Sequence, residues 1–272
     1  MPVNILLVEG KLDGEVLGPI LAGRPTIETD CPKGSLGPRC LDQRRNGIRD
    51  VCYLRDRDYD YEPPAIVTEP VVDRLSGGVP LGWRWCRHEI ESYLLEPTVV
   101  QAATGWDPTT YAAALVLAGQ QIRYYQIARW CIGLVKRTLP PITRLPGRPI
   151  TFGGDFQIPA DLTDIATARW ARDVVNDFRT LVTAVIEPTA FDQSLVDRTA
   201  QLTDVLFSTP EAVLIWCSGK DLFTALGSWL QQTHHLDSGR FRVLLRDWIR
   251  ANPEPTVQLL PEWKRLRELV RA

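Results

Sequence analysis

The sequence predicts an α/β fold built on a parallel sheet and carrying a large all-helical insertion. Three observations point there. Residues 3–8, VNILLV, form a continuous apolar run of strand length, the pattern of a strand covered on both faces. Lys11 to Ala22 follows at once, with Leu12, Val16, Leu17, Ile20 and Leu21 at helical spacing. Strand-like and helical stretches then alternate across quick turns as far as Gly105, as they do in a doubly wound sheet.

In chain order, Glu9-Gly10 ends the first strand and Gly23 stops the first helix. Thr26 to Glu28 reads as a short second strand. The Gly and Pro content of CPKGSLGPRC, Cys31 to Cys40, predicts a loop, followed by a helix over Leu41 to Gly47. Ile48 to Leu54 is the next strand. Residues 60–80, rich in Pro, Gly and acid, read as an exposed loop. Gly82 to Cys86, GWRWC, is a short strand, and RHEIESYLL, Arg87 to Leu95, runs on to Glu96-Pro97. After Gly105 the pattern becomes helical. Asp107-Pro108 supplies an N-cap and first-turn pair for a helix reaching Leu139. A Pro/Gly-rich connector is expected from Pro140 to Pro159, with further amphipathic stretches over Asp161 to Ile186 and Phe191 to Phe207. Glu211 to Cys217, EAVLIWC, reads as a strand leading through Ser218-Gly219-Lys220-Asp221 into a helix, with a continuous helix from Pro210 as the competing reading. Helical segments around Pro253, Pro255 and Pro261 complete the chain. The domain organisation expected is therefore an α/β core over 1–105, a helical insertion over 106–208, and a return to the core with C-terminal helices over 209–272.

The stretch that organises this layout is VCYLRDRDYD, Val51 to Asp60. If the strand continues through it, Asp56 and Asp58 share a face roughly 7 Å apart. Alone they read as a solvated acidic turn, with Asp60 a loop acid and Arg55 and Arg57 screening the cluster. Two other acidic groups stand at comparable positions: Glu9, with Asp13 one helical turn later, and Glu89 with Glu91 after GWRWC. Taken singly, Glu9 and Asp13 are ordinary first-turn partners of a helix dipole. In a parallel sheet, however, the C-terminal strand ends share one edge, where ligands bind. Acids distant in sequence would meet there, and their repulsion calls for a counter-charge. Oxygen-only ligands suit Mg²⁺ or Mn²⁺, one ion or two, which support phosphoryl chemistry. Lys220 could neutralise charge developing on a phosphate. His88 reads as a structural hydrogen-bonding residue. Arg240, Arg242, Arg246 and Arg250 read as a solvated helix face that could line a nucleic-acid path.

This set resembles the toprim domain, and within it the OLD-like nucleases and related bacterial antiphage-defence nucleases. The resemblance rests on EGKLDGEVL (Glu9 to Leu17), YLRDRDYD (Tyr53 to Asp60), HEIESYLLEP (His88 to Pro97) and SGKDLFTAL (Ser218 to Leu226), about an eighth of the chain. It implies a Rossmann-like toprim core and a Mg²⁺- or Mn²⁺-dependent endonuclease acting on DNA or RNA. It implies Glu9, Asp13, Asp56, Asp58 and Glu91 as metal ligands, with Glu9 also catalytic, and Lys220 as a catalytic lysine. Glu89 stands where related sequences often carry a smaller residue. Such nucleases can work with a separate ATPase chain, and no P-loop GxxxxGK[ST] occurs here.

Composition sets bounds. The 272 residues, 44% of them hydrophobic, suffice for a full core. With 31 basic and 33 acidic side chains the net charge is −2, so any polyanion must be attracted by local patches. The six cysteines show no zinc-type spacing. Cys52, Cys86, Cys131 and Cys217 read as buried thiols, and Cys31 and Cys40 could pair in an oxidising compartment. Neither a membrane span nor a signal peptide is apparent, so a cytoplasmic protein is expected. Two other classes of function remain: a phospho-acceptor regulatory domain, which also gathers acids at strand ends, and a partner-binding module whose acids hold a metal without turnover.

Overall fold

The structure, a computed structural model, describes residues 2–74, 78–138, 182–184 and 186–272, with Arg169, Asp173, Asn176, Arg179 and Thr180 between them. The chain divides into two compact units, Met1–Gln126 with Leu202–Ala272, and Ile127–Gln201.

The first unit is α/β. Its strands are β1 (Ile5–Leu7), β2 (Thr26–Glu28), β3 (Val51–Arg55), β4 (Val71–Arg74) and β5 (Pro80–Arg84), in the order β2-β1-β3-β5-β4. All neighbours pair in parallel except β4, which runs antiparallel to β5. Leu6 and Leu7 of β1 and Val51, Tyr53 and Leu54 of β3 are buried, as befits central strands covered on both faces. The register places Leu7 beside Tyr53 and Arg55 beside Arg84, so β1, β3 and β5 deliver their following residues to one edge. At Gly82 an added Cβ would lie 2.2 Å from the Tyr53 carbonyl oxygen; only glycine lets β5 come this close to β3.

Helices α1 (Lys11–Ile20) and α2 (Lys33–Arg45) follow β1 and β2. Helix α2 replaces the loop expected over Cys31 to Cys40. Its Gly34, Gly37 and Pro38 oppose helix, but Leu36 and Cys40 bury against β3 and tertiary packing prevails. Cys31 and Cys40 are separate buried thiols; the Arg39 guanidinium donates to Cys31 Sγ at 3.0 Å, and Cys40 Sγ lies 3.4 Å from the Val51 carbonyl. The exposed loop expected over 60–80 contains β4, whose Asp73 is paired with Arg55 and Arg84, both at 2.7 Å. Beyond β5 come α3 (Glu91–Leu94), α4 (Pro97–Thr104) and the long α5 (Pro108–Thr138), which is initiated by Asp107 accepting from the Thr110 N–H at 2.8 Å. The expected connector, 140–159, lies outside the described residues, as does most of 161–186.

In the second unit the described residues include the C-terminal part of α5 and α6 (Pro188–Gln201), with the Arg198 guanidinium over the Trp130 ring. The last helix expected there, to Phe207, stops at Gln201, and Leu206–Ser208 forms a 3-10 turn.

The strand expected at Glu211 to Cys217 is helix α7 (Pro210–Trp216), the competing reading. Thr209 caps it, accepting from the Ala212 N–H, and Pro210 stands at the first helical position where a missing N–H costs nothing. Helices α8 (Gly219–Ala225), α9 (Gly227–His234), α10 (Ser238–Ala251), α11 (Pro253–Leu259) and α12 (Pro261–Arg271) follow. Helix α10 packs on α1, α3 and α8, burying Phe241, Leu245 and Ile249. Glu262 of α12 accepts from the Cys86 N–H at 2.8 Å and from the Tyr93 hydroxyl, and so fastens the C-terminal helices to the segment after β5. Among the described residues no helix is long and apolar enough to cross a membrane.

Candidate metal centre

The acidic residues named by the sequence gather at the shared strand edge. Asp56 follows β3 directly, and an oxygen of each of Asp56, Asp58 and Glu89 lies within 4.8 Å of the others. The pair does not meet by strand alternation. β3 ends at Arg55, and Asp58 takes a left-handed backbone (φ 48°) with its N–H donating to the His88 carbonyl at 3.0 Å. Asp tolerates that conformation better than most residues, and the turn it makes brings the Asp58 and Glu89 segments together.

Each remaining acid has a distinct position. Glu9 Oε1 accepts from the Asp56 N–H at 2.9 Å, locking the start of the acidic turn to the end of β1. Asp13 accepts from the Gly10 N–H at 3.1 Å, in the first turn of α1. Glu91 opens α3 and lies 3.9 Å from both Lys220 Nζ and Arg242 Nη1. Asp56, Asp58 and Glu89 have oxygens within 4.8 Å of one another, and Asp13 and Glu9 act on the Asp56 carboxyl, as Glu91 does on Asp13.

Lys220 is in the first turn of α8, with Nζ 3.4 Å from Glu89 Oε2. It reaches the site from a helix start and not from the strand end expected. Its N–H and the Ser218 hydroxyl donate to Glu89 Oε1 at 3.0 and 2.7 Å. Three residues that sequence reasoning passed over complete the frame. Ser218 is one. Lys33 bridges Asp58 and Asp60 at 2.7 and 2.9 Å, from the helix that reads as a loop. Buried Gln126 accepts from the Tyr59 hydroxyl and the Ser218 N–H and donates to Asp221 at 2.8 Å, tying α5 to both sides of the centre. The two arginines of the DxD segment act on the acids through their charge, Arg55 on Glu9 and Arg57 with Asp58, while their hydrogen bonds go elsewhere. Arg57 is wholly buried and donates to the carbonyls of Cys86, Tyr61 and Ile215, and burial lowers its pKa to about 10. Arg55 is engaged with Asp73 and Tyr61. His88 Nε2 lies 3.2 Å from the Trp216 carbonyl, a structural contact.

The electrostatics are those of carboxylates crowded out of water. Burial, then the charges of Asp13, Glu9, Asp58 and Glu89, hold the Asp56 carboxyl well above the usual range. Burial and then Glu91 raise Asp13 to about 7. Burial also raises Glu9 and Glu91, against the opposing pull of Lys33 on the first and Lys220 on the second. Burial lowers the Lys220 pKa, but Glu89 and Glu91 outweigh it and the ammonium is held more firmly than usual. Two ionised carboxylates within 4.8 Å of each other repel by about 3 kcal/mol or more at an effective dielectric of about 20. Asp56 Oδ1 is buried with no hydrogen-bond donor.

This donor set fits a hard divalent cation. It offers only oxygens, and one of them is buried without a donor. Two oxygens span roughly 4.2 Å across an octahedral Mg²⁺, slightly less than the observed limit, so small side-chain rotations would close the site. No protein-family model and no curated protein matches this chain. What the fold and site define is an α/β protein with a composite carboxylate centre at the C-terminal edge of a mostly parallel sheet.

Proposed function

We propose that this protein is a toprim-type, Mg²⁺- or Mn²⁺-dependent nuclease that hydrolyses phosphodiester bonds in DNA or RNA, in the manner of OLD-like bacterial defence nucleases. The observation that carries this reading is the convergence of Asp56, Asp58 and Glu89, with Lys220 beside them, at the edge where β1, β3 and β5 end. Asp56, Asp58 and Glu89 would hold the cation, and Glu9, Asp13 and Glu91 would add negative charge around it. When bound, such an ion supplies positive charge against the phosphate and eases loss of a proton from water.

The chain's own residues supply the rest. Glu9 holds the Asp56 backbone in place through its N–H. Ser218 and the Lys220 N–H fix Glu89 so that its carboxylate need not reorganise. Lys220 Nζ, on a half-exposed side chain, can turn from Glu89 towards a phosphate oxygen and balance charge there. A separate ATPase chain fits this proposal as a partner.

The test is incubation of the purified chain with end-labelled DNA and RNA in Mg²⁺, Mn²⁺ or EDTA, beside Asp56→Asn. Metal-dependent cleavage that disappears in the variant is the expected result. Metal binding with no cleavage of either polymer would leave a non-catalytic module. Stable labelling by acetyl phosphate instead would identify a phospho-acceptor domain.

A further inference from the structure

A second feature lies against the carboxylate centre. A cavity of about 220 Å³ is lined by Leu12, Glu15, Glu91, Arg242, Val243 and Arg246. Glu91 forms part of its wall, so the cavity adjoins the acidic cluster. Arg242 and Arg246 are four residues apart on α10, hence neighbours on one helix face, and Arg250 continues the row one turn on. The row advances by about 6 Å per step.

Both arginines are fixed at their base, and Arg242 is open at its tip, while Arg246 is tethered by exposed carboxylates that a phosphate would have to displace. The adjoining face of α10 is anchored by buried Phe241, Leu245 and Ile249, and the helix packs on α1, α3 and α8. Those are the helices that carry Asp13, Glu91 and Lys220. Arg242 is about half exposed, and its nearest carboxylate, Glu91, is 3.9 Å away, too far for a close hydrogen bond. Arg246 is held by Glu15 at 3.2 Å and Asp247 at 2.9 Å, both on exposed side chains. Guanidinium groups in this setting suit planar, bidentate recognition of phosphate. A single row on one helix follows one strand's backbone and offers nothing aimed at base edges.

We infer that Arg242 and Arg246 form a phosphate-binding subsite that holds the substrate strand one or two nucleotides from the bond to be cut, positioning it across the carboxylate centre. This rests on the nuclease reading for the bond that is cut, but not for the binding of the backbone itself. The arginines are positioning residues: they set where the strand lies, and the acids and Lys220 act on it.

The experiment uses the full chain and a fluorescein-labelled single-stranded 20-mer of mixed sequence, as DNA and as RNA. Binding is read by anisotropy in EDTA and with Ca²⁺ across a salt series, and cleavage of the same oligonucleotides is read in Mn²⁺. Arg242→Ala/Arg246→Ala should weaken binding at least tenfold. It should also make the log–log salt dependence shallower by about 1.4, the share of two phosphate contacts on a single strand. In the cleavage arm KM should rise at least tenfold while kcat changes less than threefold. Arg242→Lys/Arg246→Lys should recover part of the affinity at low salt through charge alone, which a purely structural role would not produce. Arg242→Ala alone, at a half-exposed position, carries the test if the double variant fails to fold. Unchanged affinity and salt slope in the alanine variants overturn the subsite. Arginine-dependent binding without cleavage keeps the subsite and removes the nuclease reading. Cleavage indifferent to the arginines does the reverse, and a wild-type chain that neither binds nor cuts removes both.

Discussion

Glu262 makes the sharpest physical prediction. Its carboxyl is almost fully buried and takes hydrogen bonds from the Cys86 N–H and the Tyr93 hydroxyl, yet burial outweighs these and raises its pKa to about 7. In the unfolded chain the ordinary value is 4.5. Between those values the folded state binds the proton more tightly, so stability falls as pH rises through the window. The full difference corresponds to about 3 kcal/mol, present below the unfolded pKa and lost above about pH 7. Other buried acids slope the same way, so the measurement is a difference. Urea unfolding of wild type and Glu262→Gln is followed from about pH 5 to about pH 8. The variant, which cannot ionise, should gain about 2–3 kcal/mol relative to wild type over that range. A difference that stays constant with pH within about 0.5 kcal/mol would show that Glu262 is ionised in the fold at all these pH values, and would refute the reasoning.

Three further outcomes are expected. Asp56→Asn should abolish metal-dependent cleavage and, in EDTA at about pH 8, raise the melting temperature, because a buried charge among Asp13, Glu9, Asp58 and Glu89 is removed; retained cleavage would remove Asp56 from the site. Lys220→Ala should lower kcat about a hundredfold, with an unchanged or slightly lower Mg²⁺ requirement, as measured by titrating Mg²⁺ against rate; a normal maximal rate would exclude the lysine from the chemistry. Gly219→Ala puts a Cβ 2.4 Å from the Ser92 nitrogen and 2.6 Å from the Glu91 carbonyl carbon, both backbone atoms. Thermal melts should show a loss of about 1–3 kcal/mol, and activity should fall as Glu91 and Lys220 shift; an unperturbed melt would mean that α3 and α8 are less tightly docked than the structure has them.

How much of this was legible depends on where the information sits. β1 and β3 could be read because central parallel strands are continuous apolar runs, and the acids after them inherit the position of the strand end. Helix α2 could not, because what holds it is Leu36 and Cys40 against β3, a contact that no local pattern of Gly34, Gly37 and Pro38 reveals. EAVLIWC is apolar throughout and suits a buried strand or a buried helix equally. The deciding signal was outside it, in the Thr209-Pro210 cap and first-turn pair. β4 is four residues long and its Asp73 is neutralised from β3 and β5, so its own sequence looks like solvent-exposed loop.

The site shows the same division. That acids would converge followed from strand ends, but which acids face one another followed from turns. Glu89 and Glu91 are two residues apart, a spacing that shares a face in a strand and not around a helix start. The chain turns into α3 between them, sending Glu89 to Asp56, Asp58 and Lys220, and Glu91 towards Lys220 and Arg242. The donors that hold Glu89, Ser218 and the Lys220 N–H, come from well over a hundred residues later. The centre is thus assembled only when α7 to α12 have docked, with Glu262 closing on Cys86 and Gln126 on Ser218. Docking costs the repulsion and burial of several carboxylates, which the apo chain must carry through contacts elsewhere, such as the Trp85, Tyr93 and Trp263 cluster beneath the segment. On the proposed reading a divalent ion would relieve that repulsion, so it should raise the melting temperature most at alkaline pH, where the carboxyls are ionised; a rise that does not grow with pH would count against a carboxylate-held ion.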